Sequence, residues 1–240
     1  MKRLIILVPA YNVASQLASV IERIPKSIWQ RNPRVIIIDD GSSDATGDVV
    51  NRLVRKYHQV QVIRKRENQG FARALKTGFR FALTHGADLV VTLHGDGQYL
   101  PEEMERLLKP LEQGEAEIVH GSRILGGGAR SGGMPLYKYL GNRLLTTLEN
   151  WIYGTSFSEF HSGYLAYTRK ALSTIPYQKL SNTYHLDGEM LFMGHCKGLS
   201  IVEVPISTRY ASQGSHVAPF TYGLDVIRIL GKYLLGGYNL

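Results

Sequence analysis

A single cysteine, Cys196, occurs among the 240 residues, so no disulfide can form within the chain. Its stability must come from a packed core, and a lone thiol fits a reducing compartment. Long hydrophobic runs are missing too. The apolar residues 4–8 follow Met1-Lys2-Arg3 as a signal peptide would. That run ends at Pro9 without a small-residue cleavage site, which makes it a strand. No stretch reaches the ~18–20 apolar residues that span a bilayer. The expectation is a cytoplasmic protein, at most peripheral to the cytoplasmic membrane face. Nor is charge concentrated. The net +8 arises from 28 Lys and Arg against 20 Asp and Glu, and the one dense run is Arg64-Lys65-Arg66. That run is too short for a nucleic-acid arm, whereas a diffuse basic surplus suits phosphorylated small molecules or an anionic membrane. The loop after the first strand is Pro9-Ala10-Tyr11-Asn12 and not G-x-G-x-x-G, and no G-x-x-x-x-G-K-[ST] occurs. A dinucleotide-dependent dehydrogenase and a P-loop NTPase are disfavoured. A nucleotidyltransferase, which usually carries a basic glycine-rich loop there, fits poorly as well.

What is present is the balance of an ordinary folded domain, 44% hydrophobic and 20% charged. Short β-branched runs at 4–8, 35–38, 60–63, 89–93 and 118–120 alternate with segments of helical period. Leu17, Val20, Ile21 and Ile24 make one such face; Phe71, Leu75, Phe79 and Ala82 make another. This alternation predicts an α/β fold, a single domain with a Rossmann-like, mostly parallel sheet flanked by helices. Further helices are expected around 140–152 and 187–196, with strands at 164–167 and 201–204. Residues 126–133 carry five glycines around Arg130 and are expected to form a flexible loop.

In open α/β sheets, ligands bind beyond the carboxyl ends of the strands. Four predicted strand ends carry polar or special residues: Pro9-Ala10-Tyr11-Asn12, Asp39-Asp40-Gly41-Ser42, His94-Gly95-Asp96-Gly97-Gln98 and Gly121-Ser122-Arg123. A solvated loop would account for any one of them, but four on one edge point to a site. Carboxylates at such ends repel phosphate unless a cation lies between, and Mg²⁺ or Mn²⁺ is the usual bridge.

These segments, with Asn68-Gln69-Gly70, Ser162-Gly163-Tyr164, Asp187-Gly188-Glu189 and Glu203-Val204-Pro205-Ile206 through Arg209-Tyr210, resemble family-2 glycosyltransferases of the GT-A fold. The similarity covers nearly the whole chain and is strongest to the branch of dolichyl- and polyprenyl-phosphate sugar synthases. It implies a nucleotide-sugar-binding half over 1–123, an acceptor-side half over 124–220 and a C-terminal helix over 221–240. It implies that Pro9, Ala10, Tyr11 and Asp40 hold the nucleobase and ribose of a UDP- or GDP-linked sugar, continued by Asn68, Gly70 and Lys76. Asp96 corresponds to the metal-binding acid of the family's Asp-x-Asp motif, with Gln98 a further candidate ligand. His94 stands where that motif has its first acid. Imidazole suits Mn²⁺ better than Mg²⁺.

The reaction implied is transfer with inversion, from the nucleotide-sugar to a polyprenyl phosphate or a glycan hydroxyl. A hydroxyl acceptor needs a general base, for which Asp187 and Glu189 are candidates and Glu159 a third. A lipid phosphate is already anionic at neutral pH and needs positioning instead. Arg123, Arg130, Arg143 and Arg209 are candidates for the acceptor or the diphosphate, because guanidinium forks suit phosphate oxygens. Val226, Ile227, Leu230, Tyr233 and Leu234 have helical spacing. They fit an amphipathic helix at a membrane surface, against its own domain or against a second subunit of a homo-oligomer. The competing reading is a nucleotide-sugar-binding or assembly protein of the same fold that has lost catalysis, with His94 as its support.

Overall fold

A computed structural model describes residues 2–208 and 219–238. Seven strands form one sheet: β1 (Leu4–Ala10), β2 (Arg34–Asp39), β3 (Val60–Arg64), β4 (Leu89–Thr92), β5 (Ile118–Ser122), β6 (Leu165–Thr168) and β7 (Ile201–Pro205). Their order is β3-β2-β1-β4-β6-β5-β7, and only β6 runs antiparallel to its neighbours. The helices are α1 (Leu17–Glu22), α2 (Lys26–Trp29), α3 (Thr46–Lys56), α4 (Phe71–Thr84), α5 (Met104–Gln113), α6 (Gly128–Ser131), α7 (Leu136–Tyr153), α8 (Arg169–Thr174), α9 (Leu186–Cys196) and α10 (Pro219–Leu234).

β1 shows why the sequence chooses this layering. Its residues are apolar at consecutive positions, and a strand turns alternate side chains to opposite faces. Ile6 and Val8 pack into one core with α1, α3 and α5, around Leu17, Val50 and Leu107. Ile5 and Leu7 pack into the other with α4, α9 and α10, around Phe79, Phe192 and Val226. Helices therefore cover both faces of a mixed, mostly parallel sheet. β1 pairs with β2 on one side and β4 on the other, so the strand order reverses at its edge, which opens a crevice at the carboxyl ends. Because β1, β2, β4 and β5 all point the same way, their four polar ends share that edge.

The predicted strands lie within two residues of those observed. The short α2 and α8 were not foreseen. The segment 126–133 differs more. It contains the one-turn α6, and its glycines press against β7 and the residues that follow it. A Cβ on Gly128 would run into the Ile206 carbonyl oxygen, and one on Gly132 into that of Thr208. Here glycine serves close packing and not freedom of the chain.

The C-terminal helix is also present, and it lies against its own domain. Val226 and Leu230 are buried, and α10 packs against α7. Its other face leaves Phe220, Leu224, Ile227 and Leu234 exposed. No helix of the described residues is long and apolar enough to cross a membrane.

Candidate active site

The first two strand-end loops are zipped together by side-chain-to-backbone hydrogen bonds. Asn12 sits in the left-handed region at φ 52°, and its Oδ1 accepts from the N–H groups of Ser43 (2.9 Å) and Asp44 (3.3 Å). In return Ser42 Oγ accepts from Asn12 N at 3.1 Å, and Thr46 Oγ1 from Val13 N at 2.8 Å. Asp40 ties in the third loop: Oδ2 accepts from Gly70 N at 2.8 Å and Gln69 N at 3.2 Å, while Lys65 Nζ lies 3.0 Å from Oδ1. Asn68 Oδ1 also accepts from Gly70 N at 2.8 Å, with Gly70 at φ 92°. Three loops are thus fixed as one rim.

Below that rim lies a cleft of about 1070 Å³. At one end Pro9, Ala10, Tyr11, Asp40, Asn68 and Gly70 line it. The exposed ring of Tyr11 and the buried carboxylate of Asp40 offer a stacking face and an acceptor. At the middle stand His94, Asp96 and Gln98. Asp96 is exposed, its Oδ1 accepting from Gln98 N at 2.9 Å. His94 is packed between Phe71 (ring centroids 5.1 Å) and Tyr99 (4.9 Å), and its Nε2 is buried without a hydrogen-bond partner. Burial holds its pKa below the usual histidine value, so the ring is neutral at pH 7.

The far end is formed by Arg123, Asn142, His161, Asp187 and Tyr222, then by Met134, just before α7, and by Tyr137 and Lys138 in its first turn. Arg123 is buried and braced. Its Nε donates to Glu159 Oε1 at 2.8 Å, its backbone N–H to Glu159 Oε2 at 2.8 Å, and a terminal nitrogen to the His161 carbonyl at 2.6 Å. Glu159 also accepts from Asn142 Nδ2 at 2.7 Å. Burial alone would raise the Glu159 carboxyl, yet Arg123 holds it below the usual range. Asp187 has no such partner. Burial pushes it up to about 7, with His185 pulling the other way, and its Oδ1 has no hydrogen-bond partner.

Loops at strand ends, a pocket at the switch point and a lone acid on β4's exit mark a ligand site, and comparison with known proteins names the family. The family model Glycosyl transferase family 2 matches residues 5–175. The chain belongs to glycosyltransferase family 2. A UDP-N-acetylglucosamine–dolichyl-phosphate N-acetylglucosaminyltransferase of Methanococcus voltae is 29% identical over 221 residues, 87% of this chain and 86% of the relative. A polyprenol monophosphomannose synthase of Mycolicibacterium smegmatis is 28% identical over 208 residues, 86% and 77% of the two chains. Among solved structures, glucosyl-3-phosphoglycerate synthase of Mycobacterium tuberculosis in complex with phosphoglyceric acid superposes with a TM-score of 0.69. It shares 21% identity, over 95% of this chain and 79% of that one. A complex of the same synthase with Mn²⁺, UDP and glucosyl-3-phosphoglycerate gives a TM-score of 0.66 at 20% identity, over 98% and 79%. At such identities the likeness shows the fold.

Within this family-2 fold, several predicted site residues lie elsewhere. Lys76 does not line the cleft. Its Nζ donates to Leu180 O at 2.7 Å and Asn182 Oδ1 at 2.9 Å, and burial lowers its pKa. Glu189 is likewise turned away, accepting from Ser181 N at 2.9 Å and from the Tyr238 hydroxyl. Glu159 is committed to Arg123 and Asn142. None of the three is placed to serve as nucleotide ligand or base. Arg130 and Arg143 are exposed outside the cleft lining, Arg130 donating to Met134 O at 3.2 Å. Arg209 lies outside the described residues. The residues that sequence reasoning missed are Lys65, which pairs with Asp40, and Tyr184, which stacks on Phe71 at 5.8 Å over the cleft. Asn142 and Tyr222 were missed as well. Lys65 had been visible only as part of a basic run.

Proposed function

We propose that this chain transfers a sugar from a nucleoside-diphosphate sugar, UDP- or GDP-linked, to a polyprenyl phosphate at a membrane surface, inverting the anomeric carbon. One observation carries the acceptor. The far end of the cleft runs onto an exposed apolar face. Tyr137 both lines the cleft and stands 64% exposed. Leu136, Leu140, Leu144 and Trp151 continue within the same arc of α7, where 100° per residue places all five inside about 100°. Between Arg123 and Glu149 there is no acidic residue, while Arg130, Lys138 and Arg143 are present. An apolar face bordered by cations suits a lipid surface and its anionic headgroups. The relatives named for dolichyl phosphate and polyprenol monophosphomannose support the same acceptor class.

In the proposed reaction a phosphate oxygen of the acceptor bonds to the anomeric carbon as the bond to the nucleoside diphosphate breaks, and the diphosphate leaves with the electron pair. In-line displacement inverts the centre. The exposed Asp96 carboxylate, beside Gln98 and the neutral His94, is a donor set suited to a divalent cation. That cation, when bound, neutralises charge on the leaving diphosphate. Tyr11 and Asp40 orient the nucleoside, and the Arg123–Glu159 brace fixes the wall between donor and acceptor.

Asp187 then has a definite part. An acceptor phosphate has its second pKa near ~6 and needs no base. A carboxyl at about 7 can donate a hydrogen bond to that anion while protonated, and repels it once ionised. The rate should therefore climb with the acceptor's ionisation and fall as pH passes through about 7. Asp187→Asn should stay within roughly a few-fold of wild type and lose the falling limb. A hydroxyl acceptor would reverse this: rate rising through the same pH and a loss of ~10²–10⁴-fold in the variant. A pH–rate profile of both proteins decides.

The direct test offers labelled UDP- and GDP-sugars with Mn²⁺ to the chain with polyprenyl phosphate in anionic vesicles, and separately with phosphoglycerate or soluble glycans. Transfer to the lipid is expected. Leu140→Asp/Leu144→Asp should cut it at least about tenfold while leaving donor binding intact, because each buried leucine contributes on the order of 1.5–3 kcal/mol. Transfer only to soluble acceptors would overturn the lipid reading. Donor binding without any transfer would favour the catalytically impaired binding protein.

A further inference from the structure

Beside the acceptor end of the cleft, three segments bring buried polar atoms to one point. Glu149 comes from α7, His161 from the loop before β6, and His185 from the residue preceding α9. Glu149 and His185 are fully buried, and the His161 side chain is 6% exposed. His161 Nε2 lies 3.2 Å from Glu149 Oε2, and His185 Nε2 lies 2.8 Å from Glu149 Oε1. Neither contact is aligned as a hydrogen bond: both carboxylate oxygens and both Nε2 atoms are buried without a hydrogen-bond partner. The opposite side of each ring is occupied. Both Nδ1 atoms meet the Tyr222 hydroxyl, at 2.8 and 2.9 Å. The His185 ring also rests on Gly188, where a Cβ would stand 2.5 Å from Nε2.

Two accounts of such a cluster compete. In the first, it is a ring of four hydrogen bonds, Glu149 to His161 to Tyr222 to His185 and back. Four links need four protons, and two neutral imidazoles with one phenol supply three. The ring closes only with an extra buried proton, and its two carboxylate links should then be well aligned. They are the two that are not. In the second account, a cation replaces the protons at both Nε2 atoms. Ligating histidines are characteristically held from behind through the other ring nitrogen, as Tyr222 holds these two. The inward-facing atoms of all three residues lie within 4.8 Å of one another. Without an ion, the Glu149 carboxylate and one imidazole must instead form a buried ion pair that holds the extra proton, with contacts out of line for hydrogen bonds.

We propose that Glu149, His161 and His185 bind one divalent transition-metal ion, of the zinc class. Two imidazoles and one carboxylate are borderline donors, suited to Zn²⁺ or Co²⁺ and poorly suited to Mg²⁺. Asp96 is not among these ligands, so the site is separate from the donor-side cation and does not depend on the proposed acceptor. The ion would pin α7, the 154–164 loop and the start of α9, and through Tyr222 hold α10 in place. The loop it pins carries Glu159 and the His161 carbonyl, both bonded to Arg123, so the ion supports the wall of the cleft without entering the reaction.

The test uses the full chain, free of any affinity tag and purified without chelator. Metal analysis should find about one zinc-class ion per chain, retained in Asp96→Ala. Chelator-stripped protein should take up one Co²⁺ with visible ligand-field absorption, and Zn²⁺ should bleach it. Stripping should lower Tm on the order of 5–10 °C, with Zn²⁺ restoring it and Mg²⁺ not. Glu149→Gln and His161→Asn should lose the ion. Because those variants could also unfold, the Co²⁺ titration of wild type decides independently. Wild-type protein that takes up no Co²⁺ and whose Tm ignores both Zn²⁺ and chelator overturns the site in favour of the proton ring. Tight uptake undiminished in folded His161→Asn overturns this ligand set.

Discussion

Asp96→Ala is expected to lower sugar transfer by about 10³-fold, roughly 4 kcal/mol of transition-state stabilisation, and to abolish the Mn²⁺-dependent part of donor binding. The size follows from the lack of a substitute. Of the other acids in and beside the cleft, Asp40 is buried against Lys65 and two backbone N–H groups, and Asp39 accepts from Ser42 N at 3.1 Å. Asp187 is buried with its pKa at about 7. His94, neutral and walled by Phe71 and Tyr99, offers no charge. Among the described residues that line the cleft, Asp96 alone presents an exposed carboxylate, so its loss leaves the diphosphate without an anionic anchor for its counter-cation. The fold should not suffer, because exposed substitutions usually change stability by under about 0.5 kcal/mol. Asp96→Asn separates charge from shape, since an amide can still accept from Gln98 N. Initial rates and calorimetric donor titrations with and without Mn²⁺ measure both effects. An asparagine variant with wild-type rate and metal response would show that the carboxylate does not hold the cation.

What could be foreseen depended on how local each signal is. The donor rim is written in contiguous words, because Asn12, Ser42, Asp44 and Thr46 bond to backbone within two neighbouring loops. Turn chemistry of that kind leaves the same residues at the same spacing. The sheet was legible for a similar reason, through consecutive apolar positions in β1 and β2. Direction on a helix was harder. Asp187 and Glu189 looked like a pair, but two residues on a helix are 200° apart, so one faces the cleft and the other Tyr238 and Ser181. Lys76 was misplaced by the same ambiguity, its ammonium turning to Leu180 and Asn182, over a hundred positions away. The acceptor wall had no local signature, since Arg123, Asn142, Glu159 and Tyr222 meet only after folding. Glycine misled in one place, where close packing on Ile206 and Thr208 looks in sequence like flexibility.

The Arg123–Glu159 brace should be the most costly polar contact in this wall to break. Both side chains are buried, and the carboxylate takes four donations, two of them from the Arg123 side chain. Glu159→Ala would take the carboxylate away from a buried guanidinium, and Arg123→Ala would leave a carboxylate in the core. Each single change is expected to cost about 3–5 kcal/mol, the usual penalty for an uncompensated buried charge. Arg123→Met/Glu159→Leu should cost far less than the sum, because no charge is then stranded. Urea melts of the cycle measure this, and additive losses would show that the two do not act as a unit. The pH dependence has a fixed sign. Glu159 has a folded-state pKa below its usual value, so its contribution is complete above about 4.5 and is lost as pH falls through the depressed folded value. The double variant should lack that acid-sensitive part of stability. It should also lose most transfer while keeping donor binding, since Tyr11, Asp40 and Asp96 belong to loops the brace does not touch. A double variant that is both stable and fully active would remove Arg123 from the reaction and leave it a scaffold residue.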